Sequence, residues 1–151
     1  MTPDEAQTAA KEIVHIIPLV MHGIASRLRQ TDHPLQPPHL SLLGRLAHCP
    51  CNLSELAEQH AVSSATMSNM VTTLEERGWV KRERLPEDRR VVLVDLTPEG
   101  HDVLVAVHRQ METHLEELLA SLSREEYDTL LAGLAILRKV FREASPHQHG
   151  D

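Results

Sequence analysis

The sequence predicts a mainly α-helical protein carrying one small two-stranded antiparallel hairpin. Helix-start signals recur along the chain, each followed by apolar residues at helical spacing. Past residue 79 the pattern changes to two β-branched runs around a charged turn, then returns to helix. Aromatic residues make up only 2% of the 151 residues, namely Trp79, Tyr127 and Phe141, so the core must be aliphatic. With 41% hydrophobic and 25% charged residues, wholesale disorder is excluded.

Thr2-Pro3-Asp4-Glu5 combines an N-cap, a proline at the first helical position and a glutamate placed to reach back. It opens a helix over 3–30, whose stripe is Ile13, Ile17, Val20 and Ile24, with a bend expected at Pro18. The proline-rich stretch from Thr31 to Pro38 reads as a loop. A helix over 39–48 carries Leu40, Leu43 and Leu46, and Asn52 with Glu55 marks the start of another over 53–60. Ala61-Val62-Ser63 is a turn short enough to cross that helix steeply over the next, 64–77, which Ser63 caps and Gly78 ends in a left-handed conformation. Strands over 80–84 and 91–96 form the hairpin, which cannot stand alone and must pack on the helices before it. Thr97-Pro98-Glu99 opens a helix over 98–121, and the capping box Ser123 to Glu126 opens the last, 124–143. The tail from Ser145 is expected to fray.

Charge is unevenly spread on this acidic chain, whose formal total is −7. Residues 77–90 hold Arg77, Lys81, Arg82, Arg84, Arg89 and Arg90 against Glu83, Glu87 and Asp88, a local +3. Residues 98–151 hold five basic and ten acidic side chains, a local −5. A basic spot on an acidic protein is a focused anion site. On the helix 64–77, Met67, Met70, Val71 and Leu74 bury together, while Ala65, Thr66, Ser68, Asn69, Thr72 and Thr73 form a neutral, hydrogen-bonding face. Such a face can approach base edges in a major groove, and an arginine on a narrow ribbon suits a minor groove. Asp88 is placed to hold a neighbouring arginine extended.

Leu53 to Glu58, Val62 to Ser68, Leu74 to Val80, Asp88-Arg89-Arg90 and Leu96-Thr97-Pro98-Glu99-Gly100 together resemble the MarR family of bacterial winged-helix regulators. The likeness runs through residues 39–104. It implies a winged helix-turn-helix lobe over 38–97, with helical dimerisation segments over 1–37 and 98–145. It further implies a homodimer on a pseudo-palindromic double-stranded DNA operator, repressing transcription until a small-molecule effector binds. Carried over position by position, Ser64, Thr66, Ser68, Asn69, Thr72 and Thr73 face the groove. Arg90 matches the wing-tip arginine, Asp88 orients it, and Arg89 makes a second phosphate contact. Position 69, commonly basic in the family, is Asn here, and a frequent Leu-Gly pair in the turn is His60-Ala61, which implies a half-buried histidine and a strained alanine backbone. His22 and Arg27 are expected to line an effector site between the dimer helices and the helix 39–48, where a ligand would shift the lobes.

Other signals are weaker. Cys49-Pro50-Cys51 offers a thiol switch in the loop before the helix-turn-helix, but no lysine or arginine beside it in sequence acidifies either thiol. The eleven histidines are scattered. His15 with His22, and His101 with His108, lie seven apart, and His108 lies four before Glu112, with no zinc-binding spacing, so no metal or cofactor is expected. A metal- or thiol-sensing regulator of the same fold, using these histidines or Cys49 and Cys51, is the alternative. No Gly-rich phosphate loop, nucleophile elbow or His-Glu-x-x-His occurs, which argues against an enzyme. The leucine-rich final helices also suit a protein-interaction module without DNA binding. With no membrane span, no leader and two cysteines, the chain is expected in the cytoplasm.

Overall fold

The helix starts marked in the sequence are closed by their own side chains in the computed structural model, which describes residues 2–144. Helix α1 (Pro3–Leu28) begins on a capping box: Glu5 N–H donates to Thr2 Oγ1 at 3.3 Å and Thr2 N–H to Glu5 Oε2 at 2.6 Å. Helix α3 (Leu53–Gln59) starts on Asn52, whose Oδ1 accepts from Ser54 N–H at 2.7 Å. Helix α4 (Ser64–Glu76) starts on Ser63, and α6 (Arg124–Ala144) on a Ser123–Glu126 capping box. The tail expected to fray from Ser145 lies outside the described residues.

Helix α1 runs unbroken through Pro18 and stops two residues short of the expected 30. The Leu28 carbonyl closes it by accepting from Thr31 Oγ1 at 2.9 Å and from the N–H groups of Thr31 and Leu35 at 3.4 Å. Pro37 and Pro38, expected in the loop, instead open α2 (Pro37–Leu46). Both residues sit where the N–H has no helical partner anyway, so proline costs nothing there and its fixed φ suits the first turn.

The hairpin pairs β2 (Val80–Arg84) with β3 (Val92–Leu96) in the register Val80↔Leu96, Arg82↔Val94 and Arg84↔Val92. A third strand, β1 (Cys51–Asn52), joins the free edge of β3 through Cys51↔Val94 and Asn52↔Leu93, giving the order β1-β3-β2. Two residues are too few to show alternation, so no sequence pattern marks β1. Its effect is to place β3 at the centre of a sheet that receives the chain from both α2 and α4.

The chain divides into two compact units, one reaching Met111 and one beginning at Glu112. The first holds the core, built from Leu42 and Leu43 of α2, Leu56 of α3, Met67 and Leu74 of α4 and Val94 of β3, with the first half of α5 (Pro98–Leu119) supplying Val103, Leu104 and Val107. Trp79 is its one aromatic, with the Arg77 guanidinium 4.9 Å above the ring and His33 against its edge. The start of α5 is jammed onto this residue. Thr97 N–H donates to the Trp79 carbonyl at 3.0 Å, Thr97 Oγ1 donates to the Gly78 carbonyl at 2.7 Å, and Gly100 N–H donates to Thr97 Oγ1 at 3.0 Å. A Cβ at Gly100 would lie 2.0 Å from the Trp79 carbonyl oxygen, so only glycine fits.

The apolar side chains of the flanking helices find no such cover. Helix α1 buries only Leu28 and leaves Val14, Ile17, Leu19 and Val20 exposed. In the second unit α6 buries nothing, and Leu134, Ile136 and Phe141 are exposed.

Candidate nucleic-acid interface

Helices α3 and α4 meet through a turn whose geometry follows from three residues. Val62 N–H donates to the Ala57 carbonyl at 3.0 Å, Ala61 takes a φ of 52°, and Ser63 starts α4. The left-handed alanine costs about 1 kcal/mol that glycine would not. His60 is half-buried and its Nδ1–H donates to the Leu56 carbonyl at 2.9 Å. Both features match the readings of His60 and Ala61 made from the sequence.

On α4, Met67, Val71 and Leu74 are buried and Met70 packs against the core. Ser64, Ala65, Thr66 and Asn69 are exposed, while Ser68, Thr72 and Thr73 are half-buried. Thr73 Oγ1 donates back to the Asn69 carbonyl at 3.1 Å and Thr72 Oγ1 to the Ser68 carbonyl at 2.9 Å.

Ser68 and Thr72 are already engaged by a residue not singled out from the sequence. Arg82 of β2 reaches across to α4, donating through Nη2 to the Ser68 carbonyl at 2.7 Å and to Ser68 Oγ at 3.1 Å. Its Nη1 donates to Thr72 Oγ1 and pairs with Glu75 Oε1, both at 3.0 Å, and its N–H donates to Glu75 Oε2 at 3.3 Å. This fork ties the hairpin to the helix and fixes their relative pose. Strand alternation carries the signal: Lys81 and Glu83 point outward and pair with each other at 3.1 Å, which leaves Arg82 on the opposite side with Val80. The exposed face of α4 therefore narrows to Ser64, Ala65, Thr66 and Asn69, with Thr73 at its border.

At the hairpin tip, Asp88 orients Arg90 differently from the expectation. Its Oδ1 accepts the Arg90 backbone N–H at 3.0 Å, and its carbonyl accepts Val91 N–H at 3.0 Å. This is the side-chain turn an aspartate makes with the backbone two residues on, so Asp88 shapes the loop and leaves the guanidinium alone. Arg84 Nη1 donates to the Arg89 carbonyl at 2.8 Å, bracing the other side. Arg89 and Arg90 are exposed, and no salt bridge among the described residues uses them. The tip thus offers two open cations on a braced loop.

His22 and Arg27, the expected effector ligands, are not brought together. They lie on one helix about 140° apart around its axis. His22 is exposed, and Arg27 is half-buried with its Nε lacking a hydrogen-bond partner. Among the described residues no three His, Cys, Asp or Glu side chains gather as a metal site. The thiols differ from the sequence reading: Arg45, one turn before Cys49, sets its Nη1 3.3 Å from Cys49 Sγ and holds that thiol below its ordinary range. The spacing of four across a helix end is what brings them together, although they are not sequence neighbours.

Comparison with known proteins points the same way. The model of the MarR family matches residues 35–92. The uncharacterized HTH-type transcriptional regulator YdgJ of Bacillus subtilis is 35% identical over 100 residues, which are 66% of this chain and 61% of that protein. This chain thus spans about six-tenths of the length of the first curated relatives it matches. Among solved structures, the transcriptional regulator BldR of Sulfolobus solfataricus is 27% identical with a TM-score of 0.71, covering 92% of this chain and 99% of that one. Sco3205, a MarR family transcriptional regulator from Streptomyces coelicolor solved in complex with DNA, is 25% identical with a TM-score of 0.70, covering 100% and 94%.

Proposed function

We propose that the chain is a MarR-family protein, on the match of that family's model to residues 35–92, and that it is a sequence-specific, double-stranded-DNA-binding transcriptional regulator. The observation that carries this reading is the pairing of α4's exposed neutral face with the open arginine tip of the hairpin, locked together by Arg82. A neutral, hydrogen-bonding face enters a major groove with little desolvation cost, and its Asn69 can read adenine through two hydrogen bonds. Arg89 and Arg90 meet the narrow, electronegative minor groove alongside. Ser68 and Thr72 act through Arg82, holding the two elements at a fixed spacing, and Ser64 and Thr66 contact the backbone beside the helix start.

The working unit is a homodimer. The segments 1–37 and 98–145 form the dimerisation region, and 38–97 the reading lobe. Support comes from the uncovered apolar residues of α1 and α6, which a second copy would bury. Two lobes then reach successive major grooves about 34 Å apart on a pseudo-palindromic site. Bound over a promoter, the dimer represses. A small-molecule effector that alters the lobe spacing releases it, and of the two expected contacts Arg27, half-buried with its Nε lacking a hydrogen-bond partner, is the one we retain. Such a regulator works on DNA in the cytoplasm; among the described residues no helix is long and apolar enough to cross a membrane.

Anisotropy of a labelled duplex from upstream of the protein's own gene tests the proposal. Affinity is expected to fall steeply between two salt concentrations and to exceed that for an unrelated duplex of equal length. Equal, weak binding to both duplexes at low salt would favour a protein-interaction module instead.

A further inference from the structure

The loop that joins α2 to β1 carries chemistry that DNA reading does not use. We propose that Cys49 is a peroxide-reactive thiolate held ready by Arg45, and that Cys51 is the thiol that closes a disulfide onto it.

Cys49 is exposed, with Arg45 Nη1 3.3 Å from its sulfur. The guanidinium is not free to drift, because its Nε donates to Gln59 Oε1 of α3 at 3.0 Å. A cation fixed between two helices beside an accessible thiol favours the thiolate, which is the reactive form. The groups facing this sulfur are Arg45 from α2, Cys51 from β1 and Glu55 from α3. Glu55 opposes the thiolate, but the Arg45 hydrogen bond outweighs it and Cys49 titrates below the usual thiol range. Cys51 is its opposite. It is buried, its Sγ donates to the Cys49 carbonyl at 3.5 Å, and burial pushes its pKa up to about 11. One short stretch therefore holds an accessible nucleophile and a silent second thiol.

The Cys49 thiolate attacks the terminal oxygen of a hydroperoxide, so that an S–O bond forms and the O–O bond breaks. The alkoxide or hydroxide leaves and takes a proton from water, with the Arg45 cation beside the developing charge. Sulfur loses two electrons and the peroxide gains them. Cys51 then gives up its proton and attacks the sulfenic sulfur, forming S–S and releasing the oxygen as water. For this second step Cys51 must leave the core, and β1 must let go of Val94 and Leu93 on β3. Asn52, the neighbouring residue, caps α3. Oxidation therefore pulls on the hairpin's central strand and on the first helix of the helix-turn-helix at once. That consequence rests on the DNA-binding reading, whereas the thiol chemistry does not.

Reduced full-length protein treated with hydrogen peroxide and followed by intact mass and thiol titration provides the test. Wild type is expected to lose both thiols and two hydrogens. Cys51→Ser should gain one oxygen in a form that dimedone traps, and Cys49→Ser should keep its thiol. Arg45→Gln should slow the reaction about tenfold near neutral pH, the gap closing above the ordinary thiol pKa of about 8.5. A merely structural role for Arg45 would leave that pH profile unmoved. Cys49→Ser reacting as fast as wild type, or wild type reacting no faster than free cysteine, overturns the site. Wild type stopping at one added oxygen overturns the role of Cys51. With the upstream duplex, at least tenfold weaker binding after oxidation supports the coupling, and unchanged affinity refutes it. If reduced protein binds no DNA while the thiol results hold, the DNA reading fails and the thiol site stands.

Discussion

Leucines at helical spacing occur in both the central lobe and the flanking helices, and the two regions treat them in opposite ways. In α2, Leu42, Leu43 and Leu46 are all buried, their cover supplied by the same chain, with β3 and the end of α1 packed against the helix. In α6, Leu131 and Leu134 are 48% and 46% exposed, and in α1 Leu19 is 70% exposed. Full burial of such a side chain stabilises by about 1.5–3 kcal/mol, so the flanks carry a large unused driving force. An apolar stripe announces that a face will be covered. What covers it is a separate question, answered within the chain for the lobe and, on our proposal, by a second copy for the flanks.

The sharpest way to break the lobe side of this comparison is Gly100→Ala. Its Cβ would collide with the Trp79 backbone carbonyl, which no side-chain movement can relieve. A loss above about 3 kcal/mol is expected, read from the urea midpoint of Trp79 fluorescence. A loss below about 1 kcal/mol would mean that α5 shifts freely at its start. On the flank side, Leu134→Glu should leave the lobe's near-ultraviolet spectrum intact yet convert dimer to monomer in sedimentation. DNA affinity should fall about 100-fold because the two lobes no longer bind as one. A dimeric Leu134→Glu protein would place the interface elsewhere.

Within the lobe, smaller effects sort the DNA contacts. Arg90→Ala is expected to weaken every duplex by about tenfold, or roughly 1.4 kcal/mol, and to reduce the salt slope by about one unit. Asn69→Ala should instead narrow the gap between the upstream duplex and an unrelated one. Competition anisotropy separates the two outcomes. If Arg90→Ala changes preference and Asn69→Ala changes only overall affinity, the assigned roles are reversed.

Much of the fold was legible because its signals are local. N-caps such as Thr2, Asn52, Ser63 and Ser123 bond within their own first turn, and Gly78 takes its left-handed φ of 77° at a helix end. What escaped depends on partners distant in sequence or on turn chemistry. β1 exists only because Val94 lies opposite Cys51, and Arg82 matters only because Ser68 and Thr72 lie across from β2. Asp88 holds Arg90 by its backbone and not by its side chain, through the ordinary habit of aspartate of bonding a backbone N–H two residues on. The flanking helices were legible as apolar stripes, and the family likeness implied dimerisation segments there, over 1–37 and 98–145.

The smallest expected effect lies at the seam where α2 meets the end of α4. His39 is half-buried, and its pKa is lowered first by that burial and second by the Arg77 cation. Arg77 cannot move away easily, since its Nη1 donates to the Pro34 carbonyl at 2.7 Å. Folded His39 therefore binds its proton less readily than unfolded His39, whose pKa is about 6.5. Above that value the group is neutral in both states and the lobe keeps its full stability. As pH falls through 6.5 towards the folded value, the unfolded chain takes up the proton first, so stability falls with pH. Thermal midpoints measured at pH 7.5 and 5.5 should show His39→Gln losing less on acidification than wild type. Arg77→Gln, which removes the second cause and leaves the burial, should lie between them. An acid loss as large in His39→Gln as in wild type would assign the pH response to other histidines.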